Sequence, residues 1–429
     1  MKYLSRPFSL VILFLAFYLT PLFLRGQKTN IILIMADDLG LEMLGCYSNT
    51  EQLTPNLDRL ASTGMQFENC FSTPLCTPSR VQLMTGKYNH RNYIGFGLLD
   101  PKEITFAHML KQAGYKTGIT GKWQLLGNAR QRQLAGGKTG SLPHQAGFDE
   151  YCLWQVDTLG SRYKNPVVFT NKLNSSVLLE NEYGPDVFNR FALDFIETHR
   201  NEPFFLYYPM CLTHAPFEPT PISSAYETGK EDPKYFRDMV KYMDHLVGNV
   251  IDKLTEQGLL ENTLLIFIGD NGTDRTISFE VNGVQRKGEK GSSKKGGIHV
   301  PMIVSWEKHI KPGSKTSALI DFTDFVPTFL EVADAKTSVK LDGFSFLPIL
   351  TGQKSNVRDW VFCHYDPNWG NFTPKTFAFD ERWKVYSSGE IYDIKTDPDE
   401  KKSLDPTTLK ASDKNKVGVL REVIRNMYR

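Results

Sequence analysis

The sequence holds no Cys-x-x-Cys pair, no internal repeat and no low-complexity tract, and its charges nearly cancel. Each absence removes a class of function. Six cysteines stand singly at positions 46, 70, 76, 152, 211 and 363, so neither a paired-cysteine zinc site nor a dithiol redox centre is written here. Lys plus Arg total 50 against 48 Asp plus Glu, which gives no global basic field for nucleic acid; any preference for anions must come from a local site. With 41% hydrophobic and 12% aromatic residues over 429 positions, the chain is not disordered and can build a large core in one or two domains.

One long apolar run is present. Residues 1–26 open with Lys2 and Arg6, continue through Phe8 to Leu24 and end at Arg25-Gly26, which is the layout of a secretory signal peptide. The run is slightly long for a signal and Leu24 is a poor residue for cleavage after Gly26, so an uncleaved membrane anchor is the alternative. Cleavage removes three basic residues and no acid, leaving 47 against 48 and a net charge of −1. No spanning segment follows the leader. An exported chain, periplasmic or secreted, is permitted disulfides, but the pairing is not readable.

Four segments share one grammar, a short strand, apolar in three of them, that ends in polar groups. Asn30 to Ala36 runs into Asp37-Asp38-Leu39-Gly40, and Lys116 to Thr120 into Gly121-Lys122-Trp123. Pro203 to Tyr208 leads to Thr213-His214-Ala215-Pro216, and Thr263 to Ile268 to Gly269-Asp270-Asn271-Gly272. Helical spacing appears in Thr54 to Ala61, Phe106 to Gly114, Tyr235 to Gly258 and Phe322 to Ala333. Strands alternating with helices predict an α/β fold, a mostly parallel central sheet with helices on both faces and ligands off the carboxyl ends of its strands. Glu280 to Gly297 reads as a Lys, Gly and Ser-rich loop, and Val300 to Trp306 as a returning strand. Beyond about residue 345 short aromatic segments predict a small antiparallel sheet with a terminal helix. The expected organisation is therefore 1–26 leader, 27–345 main α/β domain and 346–429 C-terminal α+β subdomain.

Asp37, Asp38, Asp270 and Asn271 offer hard oxygen ligands at two strand ends, and carboxylates brought together need a cation among them. An all-oxygen set suits calcium or magnesium better than zinc. Taken singly, each pair reads equally as loop caps. In Cys76-Thr-Pro-Ser-Arg80, Thr77 suits a helix cap, Pro78 its first position and Gly86 its end. Cys76 then lies at the positive end of a short helix, with Arg80 one turn on to grip a sulfate or phosphate oxygen. The plain alternative is a small buried thiol and an ordinary ion pair. Lys122 and Lys290 are by default surface lysines, and His214 a loop histidine.

Motif order lifts these residues out of that default. The chain resembles the type I sulfatases of the arylsulfatase kind, within the alkaline-phosphatase-like superfamily, over nearly all of its length after the leader. The resemblance rests on Ala36 to Gly40, Thr54-Pro-Asn-Leu-Asp58, Cys76 to Arg80 with Leu83 to Lys87, Gly121-Lys-Trp123, Gly147-Phe-Asp149, Thr213 to Pro216, Gly269 to Gly272, Lys290-Gly-Ser292, Gly296 to Pro301 and Ile391 to Pro398. It implies that a sulfatase-maturing enzyme oxidises Cys76 to formylglycine (3-oxoalanine). Asp37, Asp38, Asp270, Asn271 and residue 76 would hold a divalent cation, calcium in preference to magnesium. Arg80, Lys122 and Lys290 would hold the sulfate and offset charge in the transition state, His214 would help protonate the leaving group, and Asp270 would accept the nucleophile's proton.

The chain departs from that pattern at three places. Gln124 stands where many relatives carry a histidine assigned to sulfate release, and an amide cannot take a proton near neutral pH; it is expected to position substrate. Lys295 and His299 replace a common glutamate and arginine and are expected outside the site. The expected function is a metal-dependent sulfuric ester hydrolase acting on a sulfated carbohydrate. The rival readings are a phosphate or phosphonate ester hydrolase of the same superfamily and a non-catalytic sulfoglycan-binding protein. Which sugar is cut, whether action is exo or endo, and the oligomeric state are not readable.

Overall fold

The computed structural model describes residues 28–47, 51–281 and 283–428; the leader expected over 1–26 lies outside the described residues. Among those residues no helix is long and apolar enough to cross a membrane, and all six cysteines are free.

Ten strands form the main sheet: β1 Asn30–Ala36, β2 Met65–Phe71, β3 Lys116–Lys122, β4 Glu150–Trp154, β5 Val167–Thr170, β6 Ser175–Leu178, β7 Phe204–Pro209, β8 Thr263–Gly269, and, after the hairpin β9 Ser278–Val281 and β10 Val284–Lys287, β11 His299–Ser305 and β12 Ser314–Asp321. Their order is β12-β2-β11-β8-β1-β7-β3-β4-β5-β6. The central run β8-β1-β7-β3-β4 is parallel throughout. Two strands reverse direction: β11 is antiparallel to β2 and β8, and β5 to β4 and β6. The sheet is thus mostly parallel, with the returning strand inserted the other way round.

Burial on both faces explains the unbroken apolar runs. In β1, Ile31, Leu33 and Met35 join one core with residues from the helices Cys76–Thr85, Phe106–Gln112 and Phe325–Val332. Ile32, Ile34 and Ala36 join the opposite core with the helices Pro55–Thr63, Gly184–Thr198 and Phe236–Glu256. A strand of alternating apolar residues thereby serves two layers at once.

A second sheet of four antiparallel strands, β13 Val361–Tyr365, β14 Lys375–Phe379, β15 Trp383–Tyr386 and β16 Ile391–Asp393, follows in simple order. One face packs on Val417, Leu420, Val423 and Ile424 of the terminal helix Ala411–Asn426. Its other face, through Val361, Cys363, Tyr365 and Phe377, meets Phe71, Leu75 and Cys76. The small sheet therefore stands beside the start of the helix that carries Cys76.

Two local expectations are corrected. The 280–297 segment is not all loop: it begins in the β9/β10 hairpin and ends in the short helix Lys295–Ile298, because the exposed, charged hairpin has no apolar run to announce it. The Cys76 helix also starts earlier than its capping residues suggest. Leu75 is the N-cap and Cys76 the first helical residue, while the Thr77 hydroxyl accepts from the Gly97 N–H at 3.1 Å instead of capping. Gly86 does end this helix, in the left-handed conformation at φ 65°.

Candidate active site

Adjacent strands in a parallel sheet end at the same edge, and here that edge gathers the polar groups. Asp37 and Asp38 follow β1, Asp270 and Asn271 follow β8, Lys122 closes β3, and Thr213-His214 follows β7. The backbone locks these ends together: Asp37 N donates to Leu212 O at 2.8 Å, Thr213 N to Asp37 O at 2.8 Å and Asp270 N to Ala36 O at 3.1 Å. Asp38 takes up a left-handed turn, φ 61°, and its N–H donates to Asp270 Oδ1 at 3.0 Å. Thr213, whose hydroxyl donates to Asp37 O at 3.2 Å, braces the site; it lies inside a recognised motif, but without side-chain chemistry to single it out.

All four oxygen-bearing residues are fully buried, so their charges must be met locally. Lys122 Nζ donates to Asp37 Oδ2 at 2.7 Å, Lys290 Nζ to Asp38 Oδ2 at 2.5 Å, and Arg80 Nη2 to Asp270 Oδ2 at 2.8 Å. Although burial opposes its charge, Asp37 is held well below the usual carboxylate range by Lys122 and Arg80, and Asp38 is lowered by Lys290 against the same opposition. Asp270, the third acid, goes the other way: burial, then the charge of Asp37, pushes it up to about 7.

His214 Nε2 stands 3.7 Å from Asp38 Oδ2. Its Nδ1 lies 2.6 Å from the Ala215 carbonyl; a carbonyl only accepts, so Nδ1 carries the hydrogen and Nε2 is the nitrogen left for chemistry. Burial lowers its pKa to about 3, which keeps the ring neutral. Cys76 is 3% exposed and burial raises its thiol. An unmodified Cys76 is therefore a poor nucleophile.

Two buried atoms in this cluster have no hydrogen-bond partner among the described residues: Asn271 Oδ1, an acceptor, and Arg80 Nη1, a donor. Their demands are opposite. A bare oxygen among three carboxylates fits a hard divalent cation, and a spare guanidinium N–H beside it fits an anionic oxygen. The residues present therefore fit a divalent cation, and Asp37, Asp38 and His214 also lie close enough to share one.

Comparison with known proteins decides the family. The Sulfatase family model matches residues 29–335, and the model for N-sulphoglucosamine sulphohydrolase, C-terminal, matches 290–420. The chain belongs to the sulfatase family. This sulfatase is 33% identical to human arylsulfatase A over 79% of its own length and 71% of the relative's. It is 28% identical to N-acetylgalactosamine-6-O-sulfatase of Bacteroides thetaiotaomicron, over 89% of this chain and 90% of that one. Among solved structures, Ps i-CgsB superposes with a TM-score of 0.75 at 26% identity, covering 94% of this chain and 92% of that chain. The fold is that of the alkaline-phosphatase-like enzymes, and the reaction class is sulfuric ester hydrolysis. The family generally uses formylglycine and a divalent cation, and this sulfatase carries a residue set fit for both.

The structure brings together every residue singled out for the site except one. Cys76, Arg80, Lys122, His214, Lys290 and the four oxygen ligands converge, while Gln124 sits two residues past Lys122 at φ 52°, half-buried, its N–H donating to Gln155 O at 3.1 Å. Its side chain has no hydrogen bond among the described residues. His299 lies away from the cluster, stacked on Phe71 at 4.9 Å, with Nε2 donating to Glu68 O.

Proposed function

We propose that this sulfatase is exported, with 1–26 as its leader, 27–345 as catalytic domain and 346–429 as a wall-building subdomain, and that it removes sulfate from a sulfated carbohydrate. The carbohydrate reading is supported by the relative named for N-acetylgalactosamine-6-sulfate and by a solved structure of Ps i-CgsB in complex with a neocarrahexaose. The observation that carries the chemistry is the paired deficit at Asn271 Oδ1 and Arg80 Nη1 in a fully buried charge cluster.

Asp37, Asp38, Asp270, Asn271 and residue 76 would hold calcium in this reading, because an all-oxygen set suits its flexible coordination. Formylglycine at 76 would supply, as its hydrate, a geminal hydroxyl as nucleophile, and the cation would supply positive charge beside it. The chain's own residues do the rest. Arg80 presents its free Nη1 to a sulfate oxygen, and Lys122 and Lys290 turn their ammonium groups from the carboxylates toward the others. Asp270, fully buried and accepting from Arg80 Nη2 at 2.8 Å, takes the nucleophile's proton in this reading. His214, held in the Nδ1–H form, has an Nε2 that can only accept, so it lines the leaving-group side while the Lys290 ammonium delivers the proton to the departing alcohol. Gln124, one strand over, hydrogen-bonds the sulfate without exchanging a proton.

The test is mass spectrometry of the peptide containing residue 76 after co-expression with a sulfatase-maturing enzyme, followed by turnover of sulfate and phosphate esters of one alcohol with and without chelator. Formylglycine at 76, faster sulfate release and loss of turnover on chelation are expected. Faster phosphate cleavage favours the phosphohydrolase reading, and an unmodified thiol in active enzyme sinks the mechanism.

A further inference from the structure

A second polar cluster lies at the same sheet edge, one strand beyond Lys122, and the reaction just described leaves it unused. Strand β4 pairs in register with β3 so that Trp154 stands opposite Lys122; partners in register project to the same face. The Arg162 guanidinium lies over the Trp154 ring, 3.9 Å from its centroid, and the next residue, Tyr163, donates its hydroxyl to Cys211 O at 3.0 Å and also to His214 O. Arg162 is therefore anchored between the β4 end and the His214 loop.

Arg162 forms no ion pair among the described residues, although it is half-buried, and its Nη1 is wholly buried without a partner. Glu218 feels the Arg162 charge without pairing with it, so the buried Nη1 still lacks an acceptor, which an anionic oxygen would supply. Gln155, in a left-handed turn at φ 55°, likewise holds a buried Oε1 with no partner. Held side by side by the Gln124–Gln155 backbone bond, the two turns leave one cationic donor, one acceptor and the free amide of Gln124 at this edge.

We propose that Arg162 and Gln155 form a second anion-recognising subsite beside His214, so that the substrate carries a further carboxylate or sulfate, flanked by a hydroxyl, close to the scissile sulfate. The anion takes the Nη1 hydrogen bond of Arg162 and the hydroxyl donates to Gln155 Oε1. Planar bidentate donation and the indole platform favour arginine over lysine at this place. The inference rests on the sulfated-carbohydrate reading and narrows it to polyanionic sugars.

Calorimetric binding to full-length Cys76→Ser protein, which is independent of turnover, tests it. Three ligands are compared: a monosulfated neutral sugar, the same sugar with a carboxylate and the same sugar with a second sulfate. One or both dianionic ligands should bind more tightly than the monosulfated one, and Arg162→Gln should lower that ratio about 10- to 100-fold, the worth of one charge-assisted hydrogen bond. Arg162→Lys should recover part of the loss. The preferred ligand tells carboxylate from sulfate. Equal affinity of all three ligands, or an equal loss on all three in Arg162→Gln, overturns the subsite, and so does full recovery of the ratio by Gln in place of Arg162. Sulfate release by the matured parent protein is measured separately, so that its absence counts against the sulfatase reading alone.

Discussion

Gln124 ends up two residues beyond Lys122 on the strand that delivers it, in a left-handed turn and with an unengaged amide. Nothing in that position provides a base. If the amide only orients sulfate, its replacement by an imidazole should add an ionisation that the parent lacks. Gln124→His is expected to give a kcat/KM profile that rises with pH through a new limb at or below about 6.5, because only the neutral imidazole accepts a proton and the nearby Lys122 charge holds its pKa down. Gln124→Ala should lower kcat/KM about 10-fold without adding the limb. Superimposable profiles for parent and Gln124→His would show that residue 124 does not reach the sulfate. At this scale the residues that converge were named through motif order, since by type alone Lys122 and Lys290 read as surface lysines and His214 as a loop histidine. Arg162 and Gln155 were silent for a physical reason: what marks them is the lack of a partner, which is a property of the fold.

Among the elements, the helix Cys76–Thr85 does the most to align the chemistry, because it places Cys76 at its first position and Arg80 one turn later on the inner side. All ten of its residues are buried, so it cannot tilt without disturbing the core. Its stop is Gly86 at φ 65°, where an added Cβ would come within 2.9 Å of Val326 Cβ. Gly86→Ala should therefore cost about 1–2 kcal/mol for the left-handed backbone alone, and more for the contact with Val326. Urea unfolding reads this directly, and an unchanged midpoint would mean that the helix end relaxes freely. Legibility varied along the sheet for the same kind of reason. β1, β7 and β8 were visible because burial on both faces makes continuous apolar runs, while β3, Lys-Thr-Gly-Ile-Thr-Gly-Lys, was marked by the Gly-Lys-Trp motif at its end. β2 and β12 were not, because Gln66, Glu68 and Asn69 interrupt one, while Ser314 to Ser317 leave the other polar at the sheet's edge. The reversed direction of β11 was invisible in principle, since hydrophobicity records burial and carries no sense of direction. β14 was passed over between turn-rich neighbours, although its residues Phe377 and Phe379 are buried.

At the scale of the molecule, the question is what holds the C-terminal sheet against the main domain so that it can wall the site. Arg358, just before β13, is buried and reaches across to the end of β12. Its Nη2 donates to Asp324, its Nη1 lies 3.7 Å from Asp321 Oδ2 and donates to Tyr88 Oη at 3.2 Å. Gln82, from the helix bearing Cys76, donates to Asp321 Oδ1 at 2.7 Å. One guanidinium thus ties the small sheet, the edge of the large sheet and the nucleophile's helix into a single network. Burial, opposed by Arg358, raises both acids, Asp321 to about 6. Arg358→Met removes the opposing charge and leaves two buried carboxylates unmet, which should destabilise the protein by about 3–5 kcal/mol at pH 8. Because a raised folded-state pKa makes the folded chain bind more protons than the unfolded one, stability gained from protonation grows as pH falls. The deficit of Arg358→Met should accordingly shrink as pH drops from 8 through about 6, and adding Asp324→Asn should recover part of it at pH 8. A deficit that stays constant with pH would show that Arg358 acts by packing alone, and that the two sheets are joined by apolar contact without need of the charge.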